Sequence, residues 1–78
     1  MSLINILLAV FAFVTKYGPA ARPVIESVLS AALASGKISQ GVYDAAEAVL
    51  DALLGPKAAA GNFAASPTEA EFKALAGL

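Results

Sequence analysis

The sequence predicts an all-α protein with a short apolar N-terminal helix, a central antiparallel αα-hairpin, and a short C-terminal helix after an Ala/Gly-rich linker. Three observations predict this class. Apolar residues recur at helical spacing along most of the chain. Gly and Pro residues stand where the periodic segments end. Hydrophobic residues make up 59% of the 78 residues and charged residues only 14%, which is not the composition of a disordered chain.

The first segment, residues 1–18, is predicted to be an anchor or a buried helix. Residues 3–14 are apolar except for Asn5, and a helix that is apolar all round is buried on every side. Gly18-Pro19 is expected to end it. The expected anchor residues are Leu3, Ile4, Ile6, Leu7, Leu8, Val10, Phe11, Phe13 and Val14.

The end of this run has the features of a membrane boundary. Lys16 could extend its ammonium group to lipid headgroups, and the ring of Tyr17 is amphipathic. A cleaved signal peptide is not expected, because no basic side chain precedes the run and no small-x-small site follows it. Residues 3–17 are short for a spanning helix, but we expect them to contact lipid, and contact with protein stays open as the alternative.

Residues 19–55 have the pattern of two helices. Pro19 and Pro23 are expected to open the first, since proline is tolerated in a first turn, and Gly36 to end it. Ser39 is the expected N-cap of the second. The short connection predicts an antiparallel hairpin. The expected helix-packing residues are Val28, Leu29, Leu33, Val42, Ala46, Val49 and Leu53.

The last third of the chain is predicted to be a linker and a docking helix. Residues 56–65 are rich in Ala and Gly. The motif Ser66-Pro67-Thr68-Glu69 predicts a helix start within residues 66–78, with its first residue as N-cap. So short a helix is not stable alone in water. We therefore expect Phe72 and Leu75 to dock it on another chain.

The composition excludes several classes of function. The chain has no Cys and no His, which rules out the usual zinc and haem ligands and the triads built on those residues. The Lys and Arg residues are scattered singly, so no nucleic-acid partner is expected. We expect no catalytic, cofactor-binding or metal-binding residue, and no enzyme. Asp44, Glu47 and Asp51 form an acidic line that is typical of a solvated helix face rather than of a cation site.

The apolar content exceeds what so small a chain can bury by itself. The excess must meet a membrane, a partner chain or further copies. The sequence therefore predicts an alanine-rich structural subunit of a larger, membrane-associated assembly, such as a minor or membrane-associated virion protein or an accessory subunit of a membrane complex. Its partners would be other protein subunits, identical or different. Two alternatives stay open: a holin-like or toxin-like membrane-permeabilising protein, and a soluble helical homo-oligomeric adaptor.

Overall fold

The computed structural model describes residues 3–55 and 67–78, and all of its regular elements are helical. The elements are α1 (Leu3–Tyr17), a 3₁₀ turn (Gly18–Ala20), α2 (Ala21–Ala34), α3 (Gln40–Leu54) and α4 (Glu69–Ala76). No β-strand occurs in these two ranges. The predicted all-α class is therefore confirmed, while the predicted linker 56–65 and the predicted cap Ser66 lie outside the described residues.

The junction between α1 and α2 differs slightly from the prediction. Gly18 ends α1 with a φ of +62°, a left-handed conformation that glycine adopts without steric cost. The prediction that Pro19 opens the second helix is wrong, because Gly18–Ala20 forms a 3₁₀ turn and α2 begins at Ala21. Pro23 lies in the first turn of α2, where a missing N–H is tolerated.

The connection between α2 and α3 has the two predicted boundary residues. Gly36 follows α2 with a φ of +78°. The next amide, Lys37 N–H, donates to the carbonyl of Ala32 at 2.9 Å, which completes a Schellman-type helix end. Ser39 is the N-cap of α3, and its hydroxyl accepts a hydrogen bond from Val42 N–H at 3.3 Å.

The start of α4 was predicted two residues too early. Its N-cap is Thr68, whose hydroxyl accepts from Glu71 N–H at 3.2 Å. Thr68-x-x-Glu71 is a second capping pattern that overlaps the expected one. The Glu71 side chain contacts Lys16 and Tyr17 of α1. Gly77 ends the helix in the left-handed conformation.

The core lies between α1 and the other three helices. α1 packs most extensively on α3 and α4, and α3 packs more extensively on α1 than on α2. The buried side chains of α1 are Ile6, Ala9, Val10, Phe13, Val14 and Tyr17. The other helices cover them with Ala21, Ile25, Val28, Leu29 and Ala32 from α2, Ala46 and Leu50 from α3, and Phe72 and Ala76 from α4.

One helical stretch, Leu3–Ala34, is long and apolar enough to cross a membrane by length and composition. It comprises α1, the 3₁₀ turn and α2. Core helices of soluble proteins and signal sequences meet the same criterion, and 33% of its most apolar window is buried inside the fold. The stretch is therefore weak evidence for a membrane location.

Candidate interaction surface

α1 has an apolar inner face and an apolar outer face. On the inner face, Ile6 and Phe13 are fully buried. On the outer face, Ile4 is 66% exposed, Leu8 61% and Phe11 55%. Residues separated by four and then three positions lie on one line along a helix. We call the line formed by Ile4, Leu8 and Phe11 the outer stripe.

Within this chain α1 is buried on one side only, so burial on every side would need a membrane or a partner. The expected anchor residues divide between the two faces, with Ile6, Val10, Phe13 and Val14 in the core, Leu7 half-buried, and Leu3, Ile4, Leu8 and Phe11 exposed. The reason is geometric, because the three other helices cover only one side of α1. The opposite side is apolar and faces away from the core.

The outer stripe is uncharged along its whole length. No Asp, Glu, Lys or Arg occurs among residues 3–15. The small residue Ala12 and the polar residue Thr15 are also exposed on α1. The Thr15 hydroxyl donates to the carbonyl of Phe11 at 2.8 Å, so its hydrogen bond is made within the helix. Three large side chains exposed to this degree present on the order of 400 Å² of apolar surface, a patch size that is often functional.

The two residues predicted to mark a membrane boundary are engaged inside the chain. Lys16 Nζ lies 2.8 Å from Glu71 Oε2, and the Tyr17 hydroxyl donates to Glu71 Oε1. The Tyr17 ring is buried and meets Phe13 edge to face, with 4.9 Å between ring centroids. The hydrogen bonds from Lys16 and Tyr17 lower the pKa of Glu71, and they raise the pKa of both donors. These contacts join α1 to α4 and explain both residues without lipid.

The last helix docks on its own chain. The Phe72 ring is fully buried and packs at 5.3 Å from the ring centroid of Phe13, and Ala76 is buried beside it on the same face of α4. Glu69 accepts a hydrogen bond from the Ser27 hydroxyl of α2 at 3.3 Å. Within its own chain this helix contacts α1 and α2, and its docking on another chain stays a prediction. Leu75, the other predicted docking residue, is 48% exposed and stays outside this contact.

The predicted helix-packing residues occupy three environments. Val28, Leu29 and Ala46 are buried in the core, Leu33, Val42 and Val49 are partly buried against it, and Leu53 is 40% exposed. Leu53 is the exception because it lies in the last turn of α3, where the surrounding helices no longer cover it fully.

The predicted acidic line is solvated at two of its three positions. Asp44 is exposed and accepts a hydrogen bond from Gln40 at 2.9 Å. Asp51 is also exposed, and its carboxylate lies 3.0 Å from Arg22 Nη2 of α2. Arg22 also donates to the carbonyl of Gly55 at 2.7 Å, so it joins the start of α2 to the end of α3. The contacts of Arg22 with Gly55 and Asp51 were not predictable from the sequence, because both partners are distant along the chain. Its third partner, Glu26, lies one turn away on α2 at 3.6 Å.

Glu47, the third residue of the predicted acidic line, is half-buried rather than solvated. Its Oε1 is buried and has no hydrogen-bond partner among the described residues. Burial is the main cause that raises the pKa of Glu47, and the nearby charge of Glu26 adds to it. Arg22, on the facing helix, acts in the opposite direction. Glu47 is therefore a half-buried carboxylate between α2 and α3 whose burial disfavours the ionised form.

The described residues offer little to support chemistry. Ranges 3–55 and 67–78 contain no group of three or more acidic, His or Cys side chains placed to hold a metal ion. A cavity of about 210 Å³ lies at the C-terminal ends of α2 and α4. Its lining consists of Val28, Ala31, Ala32, Ser35, Lys37, Lys73 and Leu78. It is smaller than typical ligand pockets of roughly 300–1,000 Å³, and the hydroxyl of Ser35 in its lining donates to the carbonyl of Ala32 at 3.2 Å.

Comparisons with known protein families, characterised proteins and solved structures find no match to this chain.

Proposed function

We propose that this protein is a non-enzymatic structural subunit that is held in a larger assembly through the outer stripe of α1. The observation that carries the proposal is the position of Ile4, Leu8 and Phe11, which are more than half exposed on a helix whose other face is fully used by the core. A continuous exposed apolar patch is typical of a binding surface. The helices of segment 19–55, predicted to form an antiparallel hairpin, and α4 hold α1 in place.

The packing of α1 favours a partner alongside the fold rather than a helix that leaves it. If α1 moved into a bilayer by itself, Phe72, Leu50 and Ile25 would lose the side chains that cover them. Exposing one such side chain to water costs about 1.5–3 kcal/mol. Binding through the outer stripe leaves every one of these core contacts in place.

A membrane-inserted subunit, or a membrane-permeabilising protein of the holin-like kind, is the second candidate. The specific observation in its favour is the apolar helical stretch Leu3–Ala34. Insertion of this stretch would require the bundle to open, with α3 and α4 leaving α1. Arg22 would also have to give up its contacts with Gly55 and Asp51.

The test compares two leucines that differ in place but not in chemistry. Leu8→Gln removes the centre of the outer stripe, and Leu75→Gln changes a similarly exposed leucine on α4. Both variants should keep the helical circular dichroism of the wild type, because neither residue is in the core. We expect tagged Leu8→Gln chains to leave the high-mass fraction of native cell extracts, and Leu75→Gln chains to remain in it. Retention of Leu8→Gln in that fraction would contradict the proposal.

Extraction of membranes with alkaline carbonate separates the two candidates. A subunit docked on protein through the outer stripe is expected in the supernatant. A chain inserted through Leu3–Ala34 would stay in the pellet, and a dye-leakage assay on vesicles would then identify a permeabilising protein.

A further inference from the structure

The start of α2 and the last turns of α3 place three carboxylates around one guanidinium. The guanidinium is that of Arg22, whose side chain is only 17% exposed. Its Nη2 lies 3.0 Å from Asp51 Oδ1 and donates to the Gly55 carbonyl at 2.7 Å. Its Nη1 lies 3.6 Å from Glu26 Oε1. We call Arg22, Glu26, Glu47 and Asp51 the Arg22 cluster, in which three acids stand against one base.

Glu47 is the acid that this guanidinium does not neutralise. Its Oε1 is buried and has no hydrogen-bond partner among the described residues, whereas Asp51 and Glu26 lie beside the two Nη atoms. Burial disfavours the ionised form of Glu47 and raises its pKa, and the carboxylate of Glu26 on α2 adds to this. Asp51 acts in the same direction, while Tyr43 and Arg22 oppose the shift without cancelling it.

The other helix that packs extensively on α3 uses its titratable groups elsewhere. This helix is α1, and Lys16 is its only charged side chain. Lys16 and the Tyr17 hydroxyl are both bound to Glu71 of α4. The protonation of Glu47 is therefore governed by the groups of α2 and α3.

A proton on Glu47 removes the conflict between burial and charge. The carboxyl group is then neutral, and its O–H can donate a hydrogen bond to a neighbouring carboxylate. Without the proton, the carboxylate gains hydration only if this end of the contact between α2 and α3 opens. That contact is less extensive than the contact between α3 and α1, so it can open while Ala46 and Leu50 stay in the core.

We propose that the Arg22 cluster is a proton-operated latch between α2 and α3. Uptake of one proton by Glu47 closes the contact, and loss of this proton as the pH rises lets the end near Gly55 open. The proton moves between Glu47 and water, so the latch needs no other reactant. It contains no residue of the outer stripe, so it holds or fails independently of the proposed function.

Nuclear magnetic resonance of the isotope-labelled full-length chain tests the latch. From about pH 3 to pH 8, we expect the side-chain carboxyl carbon of Glu47 to titrate at a higher pH than that of Glu71, whose pKa is lowered by its contacts. The Nε–H signal of Arg22, on the facing helix, should shift with the same midpoint as Glu47. Above that midpoint, amide hydrogen exchange corrected for the intrinsic effect of pH should become several-fold faster in the last turn of α3, while exchange in α1 stays constant.

Two conservative substitutions distinguish a latch from a carboxyl group that titrates by itself. Glu47→Gln keeps the shape of the side chain without the charge, so the Arg22 signal and the exchange rates should stay at their low-pH values throughout. Asp44→Asn removes an exposed charge from the same helix and should leave both transitions as in the wild type. If Glu47→Gln does not fold, Glu26→Gln replaces it and should lower the midpoint of Glu47.

Three results would overturn the latch. A midpoint of Glu47 no higher than that of Glu71 would mean that burial does not favour the protonated form. A transition of Glu47 that the Arg22 Nε–H signal and the α3 amides do not follow would mean that the carboxyl group titrates without moving the helices. Persistence of both transitions in Glu47→Gln would assign them to another group.

Discussion

Replacing Phe72 by Ala is expected to destabilise the fold by about 3–5 kcal/mol, the usual cost of removing a fully buried phenylalanine. Phe72 has no exposed surface and its ring packs against Phe13. It is also the only large side chain among the two buried residues of α4. A chain of this length has a free energy of unfolding of about 4–12 kcal/mol. The substitution therefore removes a quarter of the stability or more.

Urea denaturation followed by far-UV circular dichroism measures this loss. Leu75→Ala is the control on the same helix, and because Leu75 is half-exposed its cost should stay below about 1 kcal/mol. Each curve should be recorded at two protein concentrations. A helix that docks within its own chain gives a midpoint that does not depend on concentration.

Two results would refute the reasoning. A cost for Phe72→Ala no larger than that for Leu75→Ala would mean that α4 does not rest on α1. A midpoint that rises with protein concentration in the wild type, but not in Phe72→Ala, would mean that α4 docks on a second chain.

Three further predictions concern the helix ends and the charged groups. Arg22→Met should lower the free energy of unfolding by about 1–3 kcal/mol, because the Gly55 carbonyl loses its hydrogen-bond donor. In denaturant titrations, Arg22→Lys should regain only part of this stability. Gly36→Ala should lower the free energy of unfolding by about 1 kcal/mol, because Gly36 has a positive φ. Gly41→Ala, inside α3, should raise the free energy of unfolding by about 0.5 kcal/mol. Equal effects of the two substitutions would exclude this explanation. Because the pKa of Glu47 is raised in the fold, wild-type stability should fall as pH rises from 4.5 through that folded pKa. Glu47→Gln should therefore match the wild type in melting temperature below pH 4.5 and exceed it at neutral pH, and a difference that does not grow with pH would contradict this.

Helix ends were predictable from the sequence where the deciding contacts are local. Gly36 and Ser39 act through hydrogen bonds that reach no further than a few residues. The start of α4 was not predictable in the same way, because two capping patterns overlap there. The contact that accompanies the later pattern joins Glu71 to Lys16, and no local rule contains a pair so distant in sequence.

From the sequence, the candidate surface could be assigned to α1 as a whole but not to one face of it. A helix with a polar face shows which side is solvated, but residues 3–14 contain only Asn5 as a polar marker. The sequence therefore did not show that Phe13 is buried and Phe11 is exposed, because this depends on where the other helices pack. Glu71 was not recognised for another reason, since the dipole at the start of a helix already accounts for an acidic residue there.

The distribution of exposed side chains explains why the chain has more apolar residues than its core needs. Scattered apolar residues on a surface need no special explanation. Among the described residues, the exposed large hydrophobics are Leu3, Ile4, Leu8 and Phe11 on α1, with Leu53 and Leu75 elsewhere. Polar residues at the three positions of the outer stripe would remove no buried contact and would improve solubility. Large apolar side chains at these positions are what the proposed contact outside the monomer requires.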